Sequence, residues 1–342
     1  MNVYLAQLFH VSFPGLGIHD LPISRVALSI GGFEIYWYGL IIALGFWLSA
    51  QLASKKAPRY GIPENDIWNV VILALPLSLI GARLYYVAFD WSEFASNPLS
   101  IFDLRSGGLA FYGGVLGGVL ALLIMSLWKK RPFILYLDFL APYLALGQAI
   151  GRWGNFMNQE AFGTNTRLPW GMISEGTRSY LESFGPPGTD PNLPVHPTFF
   201  YEFLGNLLIF FLLRKAMEET KKGRGFLGLS TGLYLLLYGL LRFGVEGLRT
   251  DALMLGTTGL RVSQLLSCFT ILGALILLLW AKKKGGLVSA ECMNGLEEEP
   301  VVRILTSESD VQDQPQNEAS VEASSAKKRA VTSEATEDQR DE

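Results

Sequence analysis

Residues 133–163 read "FILYLDFLAPYLALGQAIGRWGNFMNQEAFG". The first eighteen residues of this stretch are almost wholly apolar, close to the roughly 20 that cross a hydrocarbon core. Then Arg152, Asn155, Asn158 and Glu160 arrive within nine positions. Either the chain is entering water as a plain loop, or it sets polar chemistry at the edge of a membrane. The remainder of the sequence decides between the two.

Across 342 residues, half are hydrophobic and 17% are charged, a composition too apolar for an ordinary soluble domain. Apolar segments near 35–54, 67–89, 108–128, 133–152, 198–213, 226–244 and 261–281 predict an all-α polytopic membrane protein of about seven spans. Three regions follow: an N-terminal segment over 1–34, a membrane domain over 35–284 with an outer loop at 153–197, and a tail over 285–342. The first 34 residues lack the charged start and long apolar core of a cleavable signal peptide. The tail holds fourteen Asp or Glu against five Lys or Arg, with almost no aromatic residues. Such a composition buries too little surface to offset ordering, which predicts a disordered acidic appendage.

Basic residues set the expected sidedness. Lys55, Lys56 and Arg59, then Lys129, Lys130 and Arg131, then Arg214 to Arg224, then Lys282 to Lys284 follow alternate spans. The positive-inside rule therefore puts the amino terminus outside and the tail in the cytoplasm. Cys268 and Cys292 cannot form a disulfide framework, and His10, His19 and His196 show no metal-ligand spacing, so neither metal nor cofactor is expected. The glycines of "GGLAFYGGVLGGVL" (107–120) suit close helix packing. No strand precedes them and no Walker lysine follows, so they do not indicate nucleotide binding, and no nucleic-acid partner is expected.

With that orientation, the polar residues of the spans collect in the outer half: Tyr38, Arg83, Tyr112, Arg152, His196, Glu202, Tyr238, Arg242 and Glu246. An ionisable side chain inside a span is costly and normally faces the bundle interior or a wet cavity. Three arginines at one depth, Arg83, Arg152 and Arg242, suggest forked contacts with phosphate. In "YGLLRFGVEGLR" (238–249), Tyr238, Arg242 and Glu246 fall on one helix face; a self-neutralising Arg–Glu pair is the plain alternative. Asp138, at the cytoplasmic start of the fourth span, suits its own helix dipole. The loop at 153–197 is long enough to be a lid or docking element as well as a connector.

The motif "GRWGNFMNQEAFG" resembles the Gly-Arg-x-Gly-Asn-Phe-x-Asn-x-Glu-x-x-Gly signature of bacterial prolipoprotein diacylglyceryl transferases. "HPTFFYE" (196–202) and "YGLLRFGVEGLR" are similar to two further motifs of that family, and the resemblance covers about residues 33–281. It implies a multi-pass protein of the bacterial inner membrane, with its active site toward the outer leaflet. The implied reaction moves the sn-1,2-diacylglyceryl group of phosphatidylglycerol to the thiol of a lipobox cysteine in a preprolipoprotein signal peptide, releasing glycerol 1-phosphate. Its partners would be that phospholipid, those signal peptides and membrane lipid. By the same resemblance Arg152 and Arg242 are essential arginines, with Asn155, Glu160, Gly163, Tyr238, Glu246 and Tyr38 as motif partners. Where some members have His before Gly-Gly in the third span, this chain has Tyr112.

Such a reaction needs a thiolate, although a free thiol has a pKa of about 8.5. It also needs preorganised cations where charge builds on the departing phosphate, and an in-line alignment of carbon and sulfur. The expected roles are Arg152, Arg242 and Arg83 at the phosphate and Asn155 at the headgroup or on Arg152. Glu160 or Tyr112 is expected to take the thiol proton, with Asn158, Gly163, His196 and Glu202 completing the substrate site. An anion or lipid transporter with an arginine-lined outer cavity is the competing class; such proteins tend to show repeated halves and midplane sites, neither of which is evident here.

Overall fold

The computed structural model describes residues 8–103, 107–251, 254 and 260–283. The chain divides into units 1–299 and 300–342, and every described residue belongs to the first. The acidic tail, Lys284 and Cys292 lie outside the described residues.

Among the described residues seven long helices dominate: α1 (Trp37–Lys56), α2 (Glu64–Phe89), α4 (Phe111–Lys129), α5 (Phe133–Asn158), α7 (Thr198–Lys221), α8 (Leu229–Leu248) and α9 (Val262–Lys283). Short helices α3 (Trp91–Phe94) and α6 (Glu175–Phe184) lie between them. By length and apolarity α1, α2, α4, α5 and α9 are able to cross a membrane. Helices α7 and α8 are as long and carry polar groups within their length, Glu202 and Asn206 on the first and Tyr238, Arg242 and Glu246 on the second. The membrane character is physical as well as compositional: Leu84, Leu127, Phe269 and Leu279 are largely exposed, a cost in water that hydrocarbon removes. Helix α5 is the most enclosed of the five and α9 the least.

Local sequence explains the helix ends. Lys55 and Lys56 occupy the last turn of α1, and Pro63 with Glu64 and Asp66 opens α2; both arrangements complement the helix dipole. Helix α5 starts after Pro132, passes through Pro142 and stops only where Gln159 turns left-handed at φ 55°. It thus runs six residues past the expected end of the fourth span at 152, carrying Arg152 and Asn155 on its last turns. Gly81 of α2 and Gly113 and Gly117 of α4 sit where the two backbones touch; a Cβ on Gly113 would overlap the carbonyl of Gly81. This is the close approach that small residues permit between membrane helices.

Asp138 does not serve its own helix. Its carboxylate accepts from the backbone N–H of Gly228 at 2.7 Å and of Thr231 at 2.8 Å, capping the start of α8, where Gly228 has φ 99°. The expectation of a dipole partner for α5 is corrected accordingly: unsatisfied N–H groups of a neighbouring helix attract the carboxylate more strongly than a diffuse dipole.

The all-α expectation also needs correction. Strands β1 (Leu8–Phe13) and β2 (Ile18–Ser24) pair antiparallel, and β1 pairs on its other edge with β5 (Ile173–Ser174), placing Val11 opposite Leu21 and Ser174. A hairpin of β3 (Val26–Ile30) and β4 (Phe33–Tyr36) leads straight into α1. The N-terminal segment and the loop after α5 therefore form one layered unit rather than two connectors. Its core joins Val11, Ile23, Phe156, Phe162, Met172, Leu181, Val195 and Phe199. Each large side chain so buried contributes about 1.5–3 kcal/mol. Ser174 caps α6 reciprocally with Thr177, fixing where that helix begins.

Candidate active site

The ends of α5 and α8 and the start of α7 meet through one carboxylate. Glu202, fully buried on α7, presents Oε1 to Arg152 Nη2 at 3.0 Å and to Arg242 Nη1 at 3.1 Å. Packing enforces the meeting: Trp153 contacts Phe156, Phe199 and Phe203 with ring centroids 5.5–5.9 Å apart, locking α5 onto α7 beside the ion pairs. One turn along α8, Glu246 Oε2 lies 2.5 Å from Arg242 Nη2. That contact is close but not aligned as a hydrogen bond, since Oε2 has no such partner. Two guanidiniums thus face two carboxylates.

A second chain leads outward from Arg152. Its Nη1 donates to Asn155 Oδ1 at 3.2 Å; Asn155 Nδ2 donates to Glu160 Oε1 at 2.8 Å, and Asn158 Nδ2 to the same oxygen at 3.4 Å. Glu160 is flanked by two residues in the left-handed region, Gln159 at φ 55° and Ala161 at φ 57°. Non-glycine residues there cost about 1–2 kcal/mol each, and surrounding contacts hold them: Gln159 Oε1 accepts from Gly176 N–H at 2.7 Å, and Thr198 Oγ1 donates to the carbonyl of Ala161. Tyr38 stands within electrostatic range of both Glu160 and Arg152. A cleft of about 610 Å³ opens here, lined by Tyr36, Tyr38, Asn158, Glu160 and Tyr180 among others.

On the α8 side, Tyr238 stacks on Tyr234 at 5.6 Å, and Tyr112, at the start of α4 and 45% exposed, lies within electrostatic range of Arg242, Tyr238 and Glu246. Ten of the expected residues are therefore gathered around the arginine pair or along its outward chain: Arg152, Asn155, Asn158, Glu160, Tyr38, Glu202, Tyr238, Arg242, Glu246 and Tyr112.

Three expected residues have other occupations. Arg83 is only 6% exposed and spends all its N–H groups on backbone carbonyls: Nε on Ile101, Nη1 on Gly107 and Gly108, Nη2 on Ser100 and Asp103, at 2.7–3.0 Å. A guanidinium carries five donors, so the placement of Arg83 on phosphate is corrected; it braces the segment before α4. Gly163 sits at a backbone crossing, donating to the His196 carbonyl at 2.8 Å, and a Cβ there would lie 2.9 Å from His196 Cβ and from the Leu248 carbonyl. His196 returns a bond from its N–H to Thr164 at 3.0 Å, and its Nδ1 lies 3.0 Å from Tyr201 Oη. Burial holds the His196 imidazole below its usual pKa, keeping it neutral.

Sequence reasoning missed several members. Arg249 makes a bidentate pair with Asp251 at 2.8 and 2.6 Å and feels the charges of Glu202 and Glu246. It closes the quoted stretch 238–249, three residues after Glu246, and that spacing was the available signal. Arg261 donates from Nη1 to the carbonyl of Glu246 and to that of Arg249 at 3.1 Å. Gln159 and Arg25 carried no signal, because their significance arises only from what surrounds them.

The comparisons with known proteins agree in direction. Residues 25–280 match the sequence profile of a family described as prolipoprotein diacylglyceryl transferase. The chain is similar to a phosphatidylglycerol–prolipoprotein diacylglyceryl transferase of Finegoldia magna, 46% identical over 261 residues that cover 76% of this chain and 97% of the relative. Proteins of the same name from Clostridioides difficile and Enterococcus faecalis are 41% and 39% identical, over 76% and 78% of this chain and 96% and 93% of theirs.

Proposed function

The chain belongs to the prolipoprotein diacylglyceryl transferase family, and from that premise we propose that it moves the sn-1,2-diacylglyceryl group of phosphatidylglycerol to the lipobox cysteine of a preprolipoprotein. The sulfur attacks the glyceryl carbon, a C–S bond forms, and the C–O bond to phosphate breaks. Glycerol 1-phosphate leaves with the electron pair, and the thiol proton passes to a base.

The observation that carries this reading is the shared carboxylate. Glu202, Asn155 and Glu246 hold the two guanidiniums by ion pairs and hydrogen bonds that use only part of the five N–H groups each carries, so donors remain on both for phosphate oxygens. The pair is held in place before substrate arrives, so little reorganisation accompanies the build-up of charge on the leaving group. Glu202 and Glu246 balance both cations, which suits a ligand that binds, reacts and leaves rather than one held tightly. Asn155 keeps Arg152 oriented. Glu160 takes the thiol proton: a carboxylate accepts directly, whereas the Tyr112 hydroxyl must first lose its own proton.

The reading places seven crossings in the bacterial inner membrane, with α7 and α8 spanning beside the five more apolar helices and their polar faces turned to the bundle interior. The amino terminus and the site face the outer leaflet, and residues 285–342 form an acidic cytoplasmic tail; the alternating basic clusters support this. The same reading takes 1–34 as the extracytoplasmic N-terminal segment and 35–284 as the membrane domain. The purified full chain in phosphatidylglycerol vesicles, given a lipobox peptide, is expected to yield a thioether-linked diacylglyceryl peptide. Anion flux without that product would establish a transporter instead.

A further inference from the structure

Glu160 sits on a turn whose flanking residues, Gln159 at φ 55° and Ala161 at φ 57°, both lie in the left-handed region. The turn brings the carboxylate back to the last turn of α5: Glu160 N–H donates to the Asn155 carbonyl at 3.0 Å, and Oε1 accepts from Asn155 Nδ2 at 2.8 Å. Position 159 is undefined in the signature Asn-x-Glu (158–160), and glycine would adopt its φ without strain. Glutamine is strained there and brings a second cost. Its side chain is buried, 3% exposed, and Nε2 has no acceptor among the described residues.

Against these costs stands one contact, from Gln159 Oε1 to the backbone N–H of Gly176 at 2.7 Å. Gly176 is the second residue of α6, where a backbone N–H has no partner within its own helix. A Cβ on Gly176 would lie 2.7 Å from Gln159 Cβ and 2.8 Å from Oε1, so the seat exists only beside glycine. Helix α6 is itself fixed, because Ser174 caps it and pairs with Val11 of β1. On the far side of Glu160, Thr198 at the start of α7 donates to the Ala161 carbonyl. On the near side, Arg25 Nη2 reaches only as far as the Asn158 carbonyl, still within α5. Gln159 is thus the tether between the end of that helix and Glu160. A turn strained on both flanks relaxes unless each flank is held.

We propose that Gln159 is a positioning residue, whose contact with Gly176 holds the Glu160 carboxylate where it receives the thiol proton, a role that rests on the transfer reading above and on Glu160 as the proton acceptor. Folding stability is given up at position 159 for the geometry of its neighbour. Gln159 touches neither lipid nor peptide, so it acts on turnover and not on the affinity for either substrate.

The test uses the full chain in phosphatidylglycerol vesicles with a lipobox peptide. Gln159→Gly should lower kcat about ten- to a hundredfold, the effect of a slightly misplaced reacting group, while KM for phosphatidylglycerol and for the peptide stays where it was. Its unfolding temperature should be unchanged or higher, since glycine relieves the strain. Gly176→Ala attacks the same contact from the other partner and should lower kcat alike; added to Gln159→Gly, which leaves room for the new methyl group, it should have no further effect. In a Glu160→Gln background, Gln159→Gly should cost no additional turnover. Near-normal kcat in Gln159→Gly overturns the proposal. So does a fall in kcat accompanied by a lower unfolding temperature, which would make the residue merely structural, or an undiminished fall in the Glu160→Gln background. Failure of the unaltered protein to lipidate the peptide would instead refute the transfer reading itself.

Discussion

Arg152 on α5 and Arg242 on α8 share a single oxygen, Glu202 Oε1, at 3.0 and 3.1 Å. Like charges brought so near one another are stable only while that carboxylate stands between them. Glu202→Ala is therefore expected to destabilise the folded chain by about 3–5 kcal/mol, the cost of stranding buried charge. Glu202→Gln keeps the shape but unbalances the charge, so glycerol 1-phosphate should inhibit it more strongly even as turnover falls. Thermal unfolding and product-inhibition constants check the two outcomes. Weaker inhibition in Glu202→Gln would show that the carboxylate does not compete with phosphate.

Arg152→Ala and Arg242→Ala should each lower kcat by about 10²–10³-fold, the usual effect of losing one preorganised donor to a developing oxyanion. Arg152→Lys should rescue little, because a single ammonium cannot serve Glu202, Asn155 and phosphate in the plane a guanidinium offers. Single-turnover lipidation of a lipobox peptide measures this. Near-normal rates in either alanine variant would remove the arginines from the phosphate.

Arg83 gives the contrasting case. Its substitution by Ala strands five carbonyl groups, and a loss on the order of 3 kcal/mol in stability is expected, with proteolysis concentrating near residues 100–108. KM for phosphatidylglycerol should be unchanged in protein that remains folded. A selective rise in that KM would return Arg83 to the substrate.

Glu160→Gln should reduce kcat by about 10²–10⁴-fold if the carboxylate is the proton acceptor, while Tyr112→Phe retains most activity. A pH–rate profile adds a readout that positioning alone would not move: loss of the base should abolish the acidic limb. The reverse pattern, an inactive Tyr112→Phe beside an active Glu160→Gln, would assign the proton to the phenol.

His196 yields a dependence on acidity. Burial lowers its pKa in the folded chain relative to the ordinary 6.5, so protonation favours the unfolded form. The folded chain loses nothing from this group above 6.5 and loses stability progressively as pH falls below it. Unfolding temperatures between pH 7.5 and 5 should decline less steeply in His196→Gln than in the unaltered protein. Identical slopes would mean that the imidazole does not sense the loop crossing.

Much of the site was legible because it is local. Arg152 with Asn155, and Tyr238 with Arg242 and Glu246, are helix neighbours whose spacing alone puts them on one face. What stayed hidden came from partners distant in the chain. That α5 continues through the polar residues 152 to 158 was not legible, because Glu202, which pairs with the first of them, lies fifty residues further on. Arg83 looked like Arg152 and Arg242, since residue type cannot reveal whether a guanidinium meets carboxylates or a ring of carbonyls. Strand β1 was missed because its alternation is short and its second partner follows four membrane-length helices and a loop.

That pairing of Val11 with Ser174 also sets a timetable. At roughly 5–20 residues per second of synthesis, β1 leaves the ribosome many seconds before β5 exists. Four helices must be threaded into the bilayer while its second edge stays unpaired. The unit that shapes the cleft is thus a late event in biogenesis, completed only after four of the long helices have been made.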